Sequence, residues 1–232
     1  FGLLSVKQRS SFIYFIHLSS LAAYGKSGLQ LSETEEFNYA YPNPYIKSQQ
    51  MIEEIIRDTY KIDHEWKIAI LRLSNIVGAF EHGVLGEYVA QLPKNIVPLA
   101  MQVAAMQRDL IELQDQAETS DHTTERSFLH VLDLCEAVIA SSHWLREQTH
   151  CCEAFNIAHD QVHSIRQLLD EISQVTKAEV PTQSAIYKHV ELDQVGANIE
   201  KAKTLLQWTP KRPLKQMIED EWRFYQNTLN GR

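Results

Sequence analysis

Cysteine is scarce in this 232-residue chain: Cys135, Cys151 and Cys152 fall in no metal-ligand spacing. Adjacent Cys151 and Cys152 are poorly placed to bridge each other, so the expectation is free thiols and a reducing, cytoplasmic setting. No apolar run approaches the roughly 20 residues that span a bilayer, and the start lacks the basic stretch and cleavage site of a secretory leader. No membrane partner is expected. Positive charge is also short, with 22 Lys and Arg against 30 Asp and Glu, and neither sign gathers into blocks. Phosphate neutralisation needs clustered cations, so no nucleic-acid partner is expected. Repeats and low-complexity tracts are missing as well, which removes solenoid and linker readings. The first residue is Phe1 and not Met, close ahead of an apolar strand, so a processed or truncated start is expected. What remains, 44% hydrophobic and 22% charged, is the composition of a packed globular protein.

The apolar run Phe12 to Leu18 has the length of one strand and reads as a central parallel strand covered on both faces. It ends in Ser19-Ser20. A polar loop follows through Gly25, Gly28 and Glu33 to Glu36, and Pro42 and Pro44 hold the chain extended before a helix from Tyr45 to Tyr60. On that helix Ile52, Ile55, Ile56 and Tyr60 recur at three- and four-residue steps, which predicts one buried stripe. Lys67 to Leu73 is a second buried strand, and strand, helix, strand implies a right-handed parallel crossover.

Beyond Asn75 the chain is loop-rich through Gly78, Gly83, Gly86 and Pro93, with a helix expected near Val97 to Met106 and a polar loop from Gln114 to Arg126. A short strand at Phe128 to Val131, a helix through Leu134, Val138 and Ile139, and a strand at Ala154 to Ala158 come next. Ser164 with Gln167 three residues on forms a capping box, and Ile165, Leu168, Leu169 and Ile172 give that helix its apolar face. Two helices close the chain, Asn198 to Leu205 and Leu214 to Tyr225, separated by Trp208-Thr209-Pro210. Met217, Ile218, Trp222 and Tyr225 form the apolar side of the second.

Ser20 at a strand end and Tyr45 at a helix start fall at the edge where open α/β sheets bind ligands. On spacing alone two readings stand side by side: a proton relay, or a strand end and a helix start with no chemistry. Several blocks point one way. Ser19-Ser20-Leu21-Ala22-Ala23-Tyr24-Gly25 resembles the Ser-Ser-x-x-x-Tyr-Gly segment of extended short-chain dehydrogenases, and Asn43-Pro44-Tyr45-Ile46-Lys47-Ser48 resembles their Asn-Pro-Tyr-x-x-Ser helix start. Trp66 to Asn75 with Val77-Gly78-Ala79, then Gly86-Glu87, Leu92-Pro93-Lys94-Asn95, Arg126 to Leu134, Lys201-Ala202 and Leu206-Gln207-Trp208 resemble the UDP-glucose 4-epimerases in order and spacing.

That resemblance implies a fold, a chemistry and a set of residues. The fold is α/β: an incomplete doubly wound (Rossmann-like) parallel sheet with a smaller mixed C-terminal substrate region. Residues 1–75 would be the remaining NAD-binding part and 76–232 mainly the UDP-sugar region, with 126–160 packing back on the first. In the family a Ser and a Tyr hydrogen-bond the sugar 4-hydroxyl. The Tyr takes its proton while hydride goes to NAD, and a Lys four residues later favours the phenolate. Ser20 and Tyr45 match and would also touch the cofactor, whereas Gln49 stands at the Lys position and an amide supplies no positive charge. Lys47, two residues from Tyr45, points elsewhere on a helix and reads as a surface lysine. Asn75, Asn95 and Arg126 match the groups that hold the UDP diphosphate; Lys188 aligns with a second phosphate-binding Arg, and Glu191 with an Asp that contacts ribose. His130 and Asp133 would orient a strand-to-helix turn.

NAD pyrophosphate in the family rests on a Gly-x-x-Gly-x-x-Gly turn, and none of the eight glycines here forms that triplet. NAD is therefore expected in the parent family and not on this chain alone. The resemblance implies a UDP-glucose 4-epimerase-like protein, impaired or inactive as this chain. The alternatives are a non-catalytic UDP-sugar-binding remnant and another NAD-dependent nucleotide-sugar epimerase. Dehydratase relatives carry Asp-Glu where this chain has Leu21-Ala22, which disfavours dehydration. A homodimer through the helix beginning at Tyr45 is permitted.

Overall fold

The computed structural model describes residues 14–87, 93–186 and 191–231. In chain order its strands are β1 (Tyr14–Ser20), β2 (Gly28–Leu31), β3 (Lys67–Leu73), β4 (Asn75–Val77), β5 (Ile111–Leu113), β6 (Glu125–His130), β7 (Cys151–Ile157), β8 (Val162–Ser164), β9 (Thr182–Ser184) and β10 (Gln194–Ala197). Its helices are α1 (Pro44–Ile62), α2 (Ile96–Ala104), α3 (Val131–Glu147), α4 (Ile165–Thr176) and α5 (Leu214–Leu229). A 3-10 turn at Leu21–Tyr24 follows β1, and a π-helical turn at Ala202–Leu206 precedes α5.

Three parallel strands in the order β1-β3-β7 make the first sheet, with β3 in the centre. Side chains alternate across a strand, so a centre strand must be apolar in both directions. β3 divides accordingly. Ile68 and Ile70 pack with Ile56 of α1 and Trp66 on one face, while Ala69 and Leu71 pack with Ala137 and Leu145 of α3 on the other. A second, mixed sheet runs β2-β10-β6-β4, with β8 antiparallel to β6. The α2, α4 and α5 helices close over its end, burying Met101, Phe128, Leu168, Ile172, Met217 and Ile218 in one cluster. Ser164 and Gln167 form the expected capping box at the start of α4.

Two sequence expectations are corrected here. The first concerns the run Phe12 to Leu18, of which Phe12 and Ile13 lie outside the described residues. β1 is not covered on both faces: Tyr14 and Leu18 are exposed, and among the described residues it pairs with β3 alone. The second concerns α1, whose buried face is Ile46, Gln50, Glu53 and Ile56, while Ile52 and Ile55 are exposed. Ile56 is buried and Tyr60 packs against the same cluster, as the periodicity predicts, whereas Ile52 and Ile55 face outward because the inward face carries two polar residues, Gln50 and Glu53, with buried partners.

Those partners form the centre of the fold. Arg72 on β3 donates from Nε to Glu53 Oε1 at 3.0 Å and from Nη2 to Oε2 at 2.8 Å, and Ser19 Oγ donates to Oε1 at 2.7 Å. The guanidinium lies over the rings of Tyr24, at 4.7 Å, and Phe37, at 4.6 Å. Tyr24 donates its hydroxyl to Asn156 Oδ1 at 2.8 Å, and Asn156 Nδ2 donates to the carbonyls of Leu31 and Asn198. Seven segments, β1, the 3-10 turn, β2, α1, β3, β7 and the stretch after β10, thus meet on one desolvated chain of contacts, where each deletion leaves a partner stranded.

Glu53→Ala should therefore lose about 3–5 kcal/mol in urea unfolding, the usual penalty for stranding a buried charge. Replacing Glu53 and Arg72 together by Met should cost less than half of that. A loss below about 1 kcal/mol for Glu53→Ala would show that the pair does not hold the sheet to α1.

Candidate active site

The end of β1 is set by its own turn. Ser20 caps the 3-10 turn, its Oγ accepting from Ala22 N at 3.1 Å, and Gly25 closes it at φ +66, where a Cβ would come within 2.5 Å of the Asn38 carbonyl. A side chain at position 25 would displace the loop that leads to α1. Asn43 then accepts from the amides of Tyr45 and Ile46, with Pro44 in the first turn, so the helix starts where Tyr45 leaves the sheet edge.

Two adjoining cavities open at these strand ends. The larger, about 750 Å³, is lined by Ser20, Tyr45, Asn75 and Asn95 among others; the smaller, about 240 Å³, by Ser20, Tyr45, Asn75, Arg126 and Glu191. Ser20, Tyr45 and Asn75 line both and so mark the junction. Asn95, just ahead of α2, donates from Nδ2 to Glu87 Oε1 at 3.1 Å.

Arg126 is held in place before any ligand arrives. Its Nη1 donates to the Glu125 and Asp193 carbonyls at 2.9 and 3.3 Å, and Nη2 reaches Glu191 Oε2 at 3.3 Å. Burial pushes its pKa down, and the Glu191 and Asp193 charges offset part of that. The two residues that the resemblance assigns to diphosphate and ribose thus pair with each other. Lys188 lies outside the described residues. Gln49 is half-buried on α1 and is not among the residues lining either cavity, while Lys47 is exposed. His130 caps α3 through Nδ1, accepting from Leu132 N at 3.0 Å. Asp133 accepts from the amides of Lys211 and Arg212 and pairs with the Arg212 side chain, as expected of turn-orienting groups.

Sequence reading missed Glu221. It sits on α5 four residues after Met217 and three after Ile218, on the apolar side, and lines the larger cavity. A carboxylate in register with an apolar stripe was the available signal. Only 4% of it is exposed, and Oε2 accepts from Gly78 N at 3.1 Å. Burial, reinforced by the nearby Glu87 charge, pushes this carboxyl up to about 7, against the smaller opposing effect of the Gly78 amide.

The described residues do not fit a dinucleotide pyrophosphate. Gly25 closes a turn, Gly78 gives its amide to Glu221, and Gly83 and Gly86 approach Phe224 on α5, where a Cβ on either would come within 2.6 Å of it. These glycines serve turns and helix packing and present no run of free amides to an anion. What the site does offer is a hydroxyl, a phenol, two amides and a guanidinium around one junction, a set suited to an anionic, hydroxyl-rich ligand.

Sheet, crossover helices and a ligand cavity at the strand ends define a Rossmann-like α/β protein. The sequence pattern of the GDP-mannose 4,6 dehydratase family matches residues 3–221, and the chain belongs to that family. A UDP-glucose 4-epimerase of Cyamopsis tetragonoloba is 33% identical over 205 residues, 88% of this chain and 58% of that protein. Its Bacillus subtilis counterpart is 31% identical over 199 residues, 85% of this chain and 58% of that protein. The solved UDP-glucose 4-epimerase of Bifidobacterium longum, in complex with NAD+ and UDP, has a TM-score of 0.92 at 25% identity and covers 99% of this chain and 68% of that one. The chain spans under three fifths of the length of these two curated relatives.

Glu221 gives the fold a pH signature. Its carboxyl titrates near 7 in the folded state, above the ordinary 4.5, so its contribution to stability is full below about pH 4.5 and is lost as pH rises through 7. Relative to Glu221→Gln, the native chain should lose roughly 3 kcal/mol across that window, at about 1.4 kcal/mol per pH unit. Comparing the two chains cancels the opposite trend of His130, whose burial lowers its pKa despite the bond to Asp220. Urea midpoints between pH 4.5 and 8 check this, and parallel curves for the two chains would refute it.

Proposed function

We propose that this chain carries the nucleotide-sugar side of a UDP-glucose 4-epimerase-type site. The observation that carries the reading is the junction: Ser20, Tyr45 and Asn75 line both cavities, and Arg126 lines the smaller one. Arg126 would take the diphosphate in a bidentate pair, with Glu191 released toward ribose hydroxyls. Asn75 and Asn95 would donate to phosphate oxygens, and Lys188 would add charge there. Ser20 and Tyr45 would hold the sugar hydroxyl, Tyr45 being the group placed to accept its proton.

Epimerase chemistry is favoured over dehydration by what stands beside Ser20. Leu21 is buried in the core and Ala22 lines both cavities, so no carboxyl is available there. A second reading, a binder of UDP-sugar without turnover, is favoured by Gln49, since no ammonium stands four residues past Tyr45, and by the absence of a pyrophosphate cradle among the described glycines. For the chain by itself, binding without turnover is the reading adopted. No helix among the described residues is long and apolar enough to cross a membrane, and the three free cysteines suit a cytoplasmic setting.

Calorimetry with UDP, together with UDP-galactose turnover in added NAD, tests both parts. UDP should bind, and Arg126→Met should weaken it about ten- to a hundredfold, the worth of one charge-assisted contact. Turnover by the chain would overturn the silent-binder reading; no affinity for UDP would overturn the nucleotide-sugar reading itself.

The homodimer belongs to the same proposal. Met51, Ile52 and Ile55 stand exposed on α1, an apolar strip outside the core. Light scattering should give twice the chain mass, and Ile52→Glu with Ile55→Glu should return it to a monomer. A monomeric native chain would remove the dimer from the proposal.

A further inference from the structure

The two cavities differ in charge. Among the described residues lining the larger one, the charged members are Glu87 and Glu221, both acidic, whereas the smaller one holds the pair Arg126 and Glu191. Glu221 is the inner of the two acids. Its Oε2 takes the Gly78 amide, and its Oε1 has no hydrogen-bond partner among the described residues. That oxygen is left open to the cavity, where a ligand group can donate to it.

A ligand seated at the junction with its anionic group toward Arg126 sends its other end toward Glu221. That end meets an acceptor in a site of low dielectric. A sugar hydroxyl or an ammonium can donate to Oε1, but a carboxylate finds like charge and, among the described lining residues, no cation to offset it.

We propose that Glu221 is the specificity-determining residue of this site, admitting nucleoside-diphosphate hexoses that bear a hydroxyl or an amine at the end remote from the diphosphate and rejecting uronates. This rests on the nucleotide-sugar reading above and deepens it, since it names the sugar class.

The groups around Glu221 set how its selectivity varies with pH. Glu87 faces it from the loop ahead of α2 and the Gly78 amide from the segment after β4; on α5 itself Asp220 is tied to His130 at 3.2 Å and to Arg223 at 3.6 Å. Since burial raises its carboxyl to about 7, Glu221 is ionised at pH 8 and largely protonated at pH 6. A protonated carboxyl donates and no longer repels, so rejection of a uronate fades as pH falls, while the uronate itself stays charged throughout.

The test is calorimetric binding of UDP, UDP-glucose and UDP-glucuronate to the chain at pH 8 and pH 6, and to Glu221→Gln at pH 8. Expected at pH 8 is UDP-glucuronate about tenfold or more weaker than UDP-glucose, the cost of one like-charge contact, narrowing to within about threefold at pH 6 and in Glu221→Gln. Equal binding of the two sugars at pH 8, with UDP still bound, overturns the role of Glu221 and leaves the nucleotide-sugar reading standing. A preference unchanged by pH also overturns it, and this arm needs no variant should Glu221→Gln fail to fold. Loss of all UDP binding overturns both readings.

Discussion

The Arg72 and Glu53 pair is the constraint to which the rest of the structure answers. A guanidinium at 3% exposure inside a parallel sheet is tolerable only with its carboxylate in bidentate contact and its flat faces covered. Meeting that demand fixes the azimuth of α1, because Glu53 must point inward. It draws Ser19 to the same carboxylate and packs Tyr24 and Phe37 against the cation. Ser20 directly follows Ser19, and Tyr45 stands on the same helix as Glu53, about two turns earlier, so both cavity-lining residues belong to elements that this network orients. Site geometry is thus inherited from a buried ion pair that touches neither cavity.

The charge asymmetry of the site follows from the same division of labour. Arg126 reaches the smaller cavity from β6, held by two backbone carbonyls, while the acids of the larger one come from the Glu87 loop and from α5. Arg126 and these two acids therefore stand on separate elements, and the junction residues come from the strand ends and the start of α1. A ligand that is anionic at one end and hydroxyl-rich at the other matches this order; a ligand anionic at both ends does not.

Much of this was legible in the sequence where one physical cause acted alone. The β3 run, the α4 capping box and the Asn43 helix start each announce themselves because burial, capping and local hydrogen bonding agree. The short strands β2, β5, β8, β9 and β10 did not, being three or four residues long and defined by pairing with distant segments. Two reading errors share one origin. α1 turns polar Gln50 and Glu53 inward and leaves Ile52 and Ile55 out, and α5 turns Glu221 inward beside Met217 and Ile218. Hydrophobic periodicity assumes that polar residues seek water, and it fails where a buried partner or a cavity supplies the alternative. A polar residue on an apolar stripe marks such places.

Position 49 shows how chemistry and scaffold separate on a single helix turn. Its neighbour Gln50 is structural: fully buried, it donates to the carbonyls of Ala23 at 2.8 Å and Asn38 at 3.2 Å and so ties α1 to the turn after β1. Gln49 is half-buried and takes no part in that network or in the Glu53 contacts, so a change there costs the fold little. Tyr45 and Ser20, by contrast, are placed by capping and by the β1 turn, which the scaffold needs for its own sake. A change of side chain at position 49 therefore leaves the supports of the cavities in place, since Ser20 and Tyr45 are held by contacts in which residue 49 takes no part.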